Sequence, residues 1–111
     1  MSETQAKIFR LIGPRKLVFE DHVLNLEKLS DCQVSAETVS SAISPGTELG
    51  AYTGTQPLRH DVKPYPRLLG YCNVSRVINT GSNVEVCKPG DRIITFQSHR
   101  SHFVIDEKQV I

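Results

Sequence analysis

Short runs of alternating apolar and polar residues, each broken by glycine or proline, fill this chain. Lys7-Ile-Phe-Arg-Leu-Ile12 ends at Gly13-Pro14, a dipeptide that favours a turn. Leu17-Val-Phe-Glu-Asp21 follows, with Leu17 and Phe19 on one face. Cys32, Val34 and Ala36 alternate with Gln33, Ser35 and Glu37, the pattern of a half-buried strand. Beyond Ala36 the alternation slips, because Val39 and Ile43 have the other parity. A bulge near Thr38 would re-aim the strand and is expected there. Val74 to Ile78 and Arg92 to Phe96 are rich in β-branched residues and read as central strands. Phe103-Val-Ile105 makes a last short one.

The breaks have their own chemistry. Pro89-Gly90 suits the two central positions of a type II turn, where proline presets φ and glycine accepts a positive one. Gly81-Ser-Asn83 is expected to connect Val77-Ile78 to a strand over Val84 to Val86 as a hairpin. One helical turn is predicted from Ser44 to about Tyr52: Ser44 caps, Pro45 suits the first helical position, Glu48 meets the positive end, and Gly54 terminates. Residues 55 to 67 contain three prolines and are expected to form a surface loop. Many short strands without a long 3.6-residue period indicate an all-β barrel or sandwich.

Composition narrows the function classes. A chain of 111 residues is one domain on size grounds, with no room for a barrel and a separate dinucleotide domain. A net charge of +1 with scattered basic residues gives no electrostatic case for nucleic acid or an anionic membrane. The polar start lacks an apolar core of a secretory signal, and no apolar run approaches the ~20 residues of a membrane helix, so a cytoplasmic location is expected. The three cysteines, Cys32, Cys72 and Cys87, are an odd number without close spacing, which fits reduced thiols rather than a disulfide framework.

Two histidines, His99 and His102, invite a metal reading. On a strand their odd separation points the rings to opposite faces, so a shared metal is disfavoured. The expected arrangement has one ring lining a cleft mouth or bonding backbone and the other solvated. There is no Gly-x-Ser-x-Gly elbow, no Cys-x-x-Cys pair and no phosphate loop. The fingerprint Gly-x-Gly-x-x-Gly is also missing, so no cofactor-binding residue for NAD(P) is expected in this chain.

Ser44-Pro-Gly-Thr-Glu48, Leu69-Gly-Tyr-Cys72, Val77-Ile-Asn-Thr-Gly-Ser82 and Pro89-Gly-Asp-Arg92 stand in one order and spacing. In that register the chain resembles the N-terminal GroES-like catalytic domain of the medium-chain dehydrogenases and reductases, in a zinc-lacking branch. The resemblance implies a mostly all-β, partly open barrel with one or two short helical turns. It also implies NAD(P) for a complete member, and a nucleotide-binding (Rossmann) half that residues 1–111 do not include. Where zinc-dependent members carry a metal-binding Cys and His, this chain has Ser44 and Tyr71. A serine hydroxyl is a poor substitute for a thiolate at a tetrahedral zinc. No metal is expected, since Cys72 alone does not make a site.

The resemblance gives Thr47 a chemical role, a hydrogen bond to the substrate oxygen and passage of its proton. The structural alternative is that Thr47 and Glu48 complete a capped helical turn. Tyr71 would donate its phenol hydrogen bond to a carbonyl oxygen, or else pack as an aromatic with its hydroxyl satisfied. Ser44, Glu48, Cys72 and His99 are the expected cleft residues around them. Two functions compete. One is the substrate-side domain of a zinc-independent oxidoreductase that acts on a small carbonyl or alcohol substrate and is inactive alone. The other is a stand-alone, non-catalytic binding or oligomerisation module, a homodimer formed through the face that a missing nucleotide-binding domain would leave. A co-chaperonin ring shares only the fold name.

Overall fold

A computed structural model describes residues 3–54 and 65–111. Among the described residues seven strands and one helix follow each other as β1 (Glu3–Gly13), β2 (Lys16–Asn25), β3 (Gln33–Ser41), α1 (Pro45–Thr53), β4 (Arg67–Leu68), β5 (Asn73–Thr80), β6 (Arg92–Thr95) and β7 (His102–Asp106). A 3-10 turn over Glu107–Gln109 closes the chain, capped by the Asp106 carboxylate on the Lys108 N–H. The strands form two antiparallel sheets, β2-β1-β4 and β6-β5-β3-β7. Among the described residues no continuous ladder joins them. The sheets meet at an isolated bridge between Ile8 and Arg100, so the barrel is open.

The first hairpin turns at Pro14-Arg15, where Arg15 takes φ 60° and its N–H donates to the Tyr52 carbonyl at 2.6 Å. Leu17 and Phe19 do share a face, opposite Leu11 and Phe9 across the ladder. The two phenylalanine rings meet edge to face at 4.5 Å. That face is exposed at Phe19, 68% accessible, and covered at Leu11, which is fully buried. In the four-stranded sheet Val34, Ala36, Val77, Ile93, Phe103 and Ile105 form one buried cluster, with Val84, Cys87 and Val110 packed against it, and Ala6, Ile8 and Leu11 of β1 are buried as well.

The slip in alternation along β3 is real. Its register with β5 shifts between Ser35 and Ala36 and again between Thr38 and Ser40, which places the bulge where parity changes. Gly90 has φ 93°, the positive value that the Pro89-Gly90 turn requires.

Three expectations are corrected. Val84 to Val86 form no strand, because β5 already has β3 on one edge and β6 on the other. The Val77 N–H donates to Asp91 and its carbonyl accepts from Gly90, so the ladder has no place for a returning hairpin. The segment docks instead on the turn before β3, through Gly81 N–H to Gln33 and Asn83 N–H to Asp31, each 2.8 Å. Second, Arg67 belongs to a strand rather than a loop, since Arg67 and Leu68 pair with Leu11 and Arg10 of β1. Of the rest of the expected loop, Tyr65 and Pro66 lie in no strand or helix, and residues 55–64 lie outside the described residues. Third, Ser44 stands at the N-cap of α1 but its side chain makes no cap bond. The Glu48 carboxylate reaches back and accepts the Ser44 N–H at 2.5 Å.

Gly81 has no room for a side chain: a Cβ there would lie 2.1 Å from the Ser30 carbonyl oxygen and 2.4 Å from that of Asp31. Gly81→Ala is expected to destabilise the fold by about 2–3 kcal/mol, the cost of forcing backbone apart. Gly13→Ala, whose Cβ meets only the Lys16 side chain at 3.7 Å, is expected to cost much less. Urea denaturation midpoints of the two variants check the contrast.

Candidate functional site: a buried carboxylate–imidazole–hydroxyl chain

Helix α1 presents Glu48 to the interior one turn from its start, while Thr47 and Leu49 on either side face solvent. Glu48 is 5% exposed and His99 is 8% exposed, so both groups have left water. The His99 Nε2 lies 2.5 Å from Glu48 Oε1. Its Nδ1 is hydrogen-bonded to the Ser41 hydroxyl at the end of β3. With Glu48 as a carboxylate the Nε2–H donates, and Nδ1 faces the hydroxyl either as acceptor or, in the imidazolium, as donor. The other Glu48 oxygen accepts the Ser44 N–H. A buried charge is tolerable only when its lone pairs are occupied in this way.

Two backbone features allow the ring to sit there. Gly70 has φ 96°, and a Cβ at that position would stand 2.6 Å from the His99 ring. Only glycine lets the chain pass so close to the imidazole. The His99 N–H donates to the Leu69 carbonyl at 2.8 Å, and its carbonyl accepts from Phe9 at 3.3 Å. The ring is thereby held from three elements at once.

A cavity of about 370 Å³ opens beside this chain, lined mainly by Lys7, Phe9, Ser41, Ile43, His99 and Arg100. Its walls are mostly apolar, with Ser41 and His99 as the polar groups at the Glu48 end. That arrangement can move a proton between a buried carboxylate and a hydroxyl at a cavity wall.

The candidate residues fall into two groups. Glu48 and His99 are in direct contact, and Cys72 joins them through its backbone, whose carbonyl accepts the Ala42 N–H at 3.0 Å and lies 3.5 Å from the Ser41 hydroxyl. The Cys72 thiol itself is exposed. Thr47 is exposed, and Tyr71 is 44% exposed; among the described residues neither side chain bonds to the other or to His99. Ser44 enters through its N–H. His102 lies on β7, half-buried rather than solvated, with Nδ1 2.9 Å from Ser101 Oγ and Nε2 3.4 Å from Glu37. Strand parity does not govern His99, which precedes β7.

Sequence reasoning missed Ser41. The signal was the parity slip after Ala36, which turns the end of β3 and its serines toward the Glu48 side. Asn73, Ser75 and Thr38 were missed too: the Asn73 amide donates to Thr38 Oγ1 at 2.8 Å, and Ser75 Oγ bonds Asn73 Oδ1. Among the described residues no group of three or more His, Cys, Asp or Glu could hold a metal ion. The Cys87 thiol is pushed up from its ordinary range by burial, with Asp91 and Glu107 adding to the effect, which suits a packing role rather than a nucleophile.

No family model matches the chain, and no curated protein matches it. Solved structures do. A mutant form of enoyl thioester reductase from Candida tropicalis aligns with 97% of this chain at TM-score 0.79 and 20% identity. A putative NADPH:quinone reductase from Bacillus thuringiensis aligns with 97% at TM-score 0.71 and 22% identity. A putative zinc-binding dehydrogenase from Sinorhizobium meliloti, bound to NADP, aligns with 97% at TM-score 0.66 and 15% identity. The chain spans 33% of each of the first two and 38% of the third. This likeness shows the fold: the described residues have a mostly β, GroES-like architecture that spans about a third of the length of each of these matched chains.

Gly70→Ala is expected to destabilise the protein by about 2 kcal/mol or more, through the positive φ and the contact with His99. Glu48→Gln, which removes the charge from both hydrogen bonds, is expected to cost about 1.5–3 kcal/mol. Thr47→Ala, at an exposed position, is expected to stay within about 0.5 kcal/mol. Thermal or urea unfolding of the three variants measures the order.

Proposed function

We propose that this chain is the substrate-side domain of a zinc-independent oxidoreductase of the medium-chain dehydrogenase and reductase type. The observation that carries the reading is the fold match over 97% of the chain to a third of an enoyl thioester reductase and of an NADPH:quinone reductase. The substrate class is a small molecule with a carbonyl, alone or conjugated to an alkene. NAD(P)H held by a nucleotide-binding domain outside these residues supplies the hydride.

The chain's own residues orient and protonate. Tyr71 and Thr47 are exposed hydroxyls, each one residue from an anchored group: Tyr71 precedes Cys72, and Thr47 precedes Glu48. Their role is to donate hydrogen bonds to the substrate oxygen, which polarises the bond that receives hydride. The Glu48–His99–Ser41 chain fixes the start of α1 and therefore the position of Thr47. Its hydroxyl end at the cavity offers a second proton route.

Zinc does not fit these residues. Ser44 and Tyr71 present oxygens where a thiolate and an imidazole would serve, and both ring nitrogens of His99 are already engaged. NAD(P) has no cradle in this chain either, because no glycine-rich strand-to-helix turn is present in its sequence.

Nuclear magnetic resonance titration of the chain tests the reading. Enones, enoyl thioesters and aldehydes are expected to shift the Thr47, Tyr71 and Ser41 amides, while NADPH and Zn²⁺ leave the spectrum unchanged. Tight NADPH binding by this chain, or NADPH oxidation catalysed by it alone, would overturn the assignment.

A second reading rests on Phe19, Ile43 and Phe96, each about 70% exposed, which leave apolar surface on β2, on the β3–α1 connection and just past β6. It makes the chain a non-catalytic binding module that self-associates. Sedimentation equilibrium decides: a concentration-independent monomer removes this reading, and a dimer that ignores the substrate panel removes the first.

A further inference from the structure

A second cavity of about 430 Å³ lies between β1, β2, β4 and the segment before β7. Its lining includes Arg10, His22, Arg67 and Arg100, with Ile8 and Pro66 between them. Three arginines are among the residues that line it, and among the described residues little negative charge balances them. Glu20 is the carboxylate in reach, with Oε2 at 3.4 Å from Arg10 Nε and 3.3 Å from His22 Nε2. Among the described residues Arg67 and Arg100 form no ion pair.

Arg100 is the informative group. Its Nε and one terminal nitrogen both donate to the Ser98 hydroxyl, at 3.0 and 2.7 Å. That leaves three of its five N–H donors without a protein acceptor among the described residues. The side chain is half-buried, and burial lowers its affinity for the proton below the usual arginine range. A half-buried cation without a counter-charge has lost part of its hydration, and an anion at its free donors would replace what it has lost. A lone neutral hydroxyl does not.

We propose that this cavity binds the phosphoryl group of a small molecule. A guanidinium fork matches phosphate oxygens in pairs, and the arginines in the lining outnumber the one carboxylate, Glu20, that reaches them. A phosphate carries nearly two negative charges and three or more acceptor oxygens, which balances three arginines against Glu20. The volume admits the phosphate with a further fragment, since ligand pockets begin near 300 Å³. The inference stands on this cavity alone and does not depend on the oxidoreductase reading.

Isothermal titration of the intact chain with inorganic phosphate, pyrophosphate and citrate, at low and moderate salt, tests it. Pyrophosphate is expected to bind, with citrate at least tenfold weaker. Arg67 sits on an edge strand of two residues, so Arg67→Gln should fold normally and weaken pyrophosphate about tenfold. Arg10→Gln should act in the same direction. Arg76→Gln, at an exposed arginine paired with Glu37 outside the cavity, should leave binding unchanged. Absence of pyrophosphate binding overturns the proposal, as does citrate binding of equal strength. Equal losses from Arg67→Gln and Arg76→Gln overturn it too, because they mark general attraction rather than a site.

Discussion

The fold depends on one short segment, Ser98–Ser101, whose backbone is shared among elements that have no ladder in common. The Ser101 N–H donates to Lys7 at 2.9 Å, and the Phe9 N–H donates to His99, which fastens the segment to β1. The Ser101 carbonyl accepts the Thr38 N–H at 2.7 Å, and the Arg100 carbonyl accepts Thr38 Oγ1 at 2.5 Å, which fastens it to β3. Lys7 N–H adds a bond to Ser101 Oγ at 2.8 Å. Two sheets without a continuous edge between them are held in register by this seam, where buried backbone groups must find partners. Functional side chains then follow from it. His99 points from the seam toward α1, and Arg100 lines both cavities.

The Thr38 bulge is the counterpart of the seam. A regular β3 would bond β5 and β7 along its whole length and keep its parity. By shifting register between Thr38 and Ser40, the strand frees the Thr38 N–H and hydroxyl for residues 100 and 101. The same shift brings Ser41 to the His99 ring. A bulge that ends pairing and re-aims a side chain thus builds the wall of the cavity as well as the joint between sheets.

This division explains what the sequence made legible. Strands that pack on the core cluster, such as Val74 to Ile78 and Phe103 to Ile105, announce themselves by β-branched residues and alternation. The Thr38 bulge and the Pro89-Gly90 turn are equally local, since parity and positive φ are properties of a few neighbouring residues. Val84 to Val86 misled because apolar alternation there serves partial burial of Val84 against the core without any free ladder edge to join. Strand β4 was hidden because only β1 makes it a strand. Glu48 and His99 were visible as candidates, yet their contact spans 51 positions and no local pattern encodes it. Ser41 and Arg100 gave less warning still, because a serine at a strand end and one more scattered arginine look like ordinary surface.

Buried polar chemistry is therefore the part of this molecule that resists local reading, and also the part that gives it specificity. The packed core cluster consists of small and medium apolar residues that many sequences could supply. Around it, Glu48 with His99 and Ser41, and Asn73 with Ser75 and Thr38, satisfy one another in two short chains. Among the described residues no buried side-chain nitrogen or oxygen lacks a partner. A half-satisfied network would cost more than an apolar one, so each member constrains the next. Helix α1 stays where it is because its first turn carries a carboxylate whose partners lie on the seam. The position of Thr47 is then a consequence of the electrostatics beneath it.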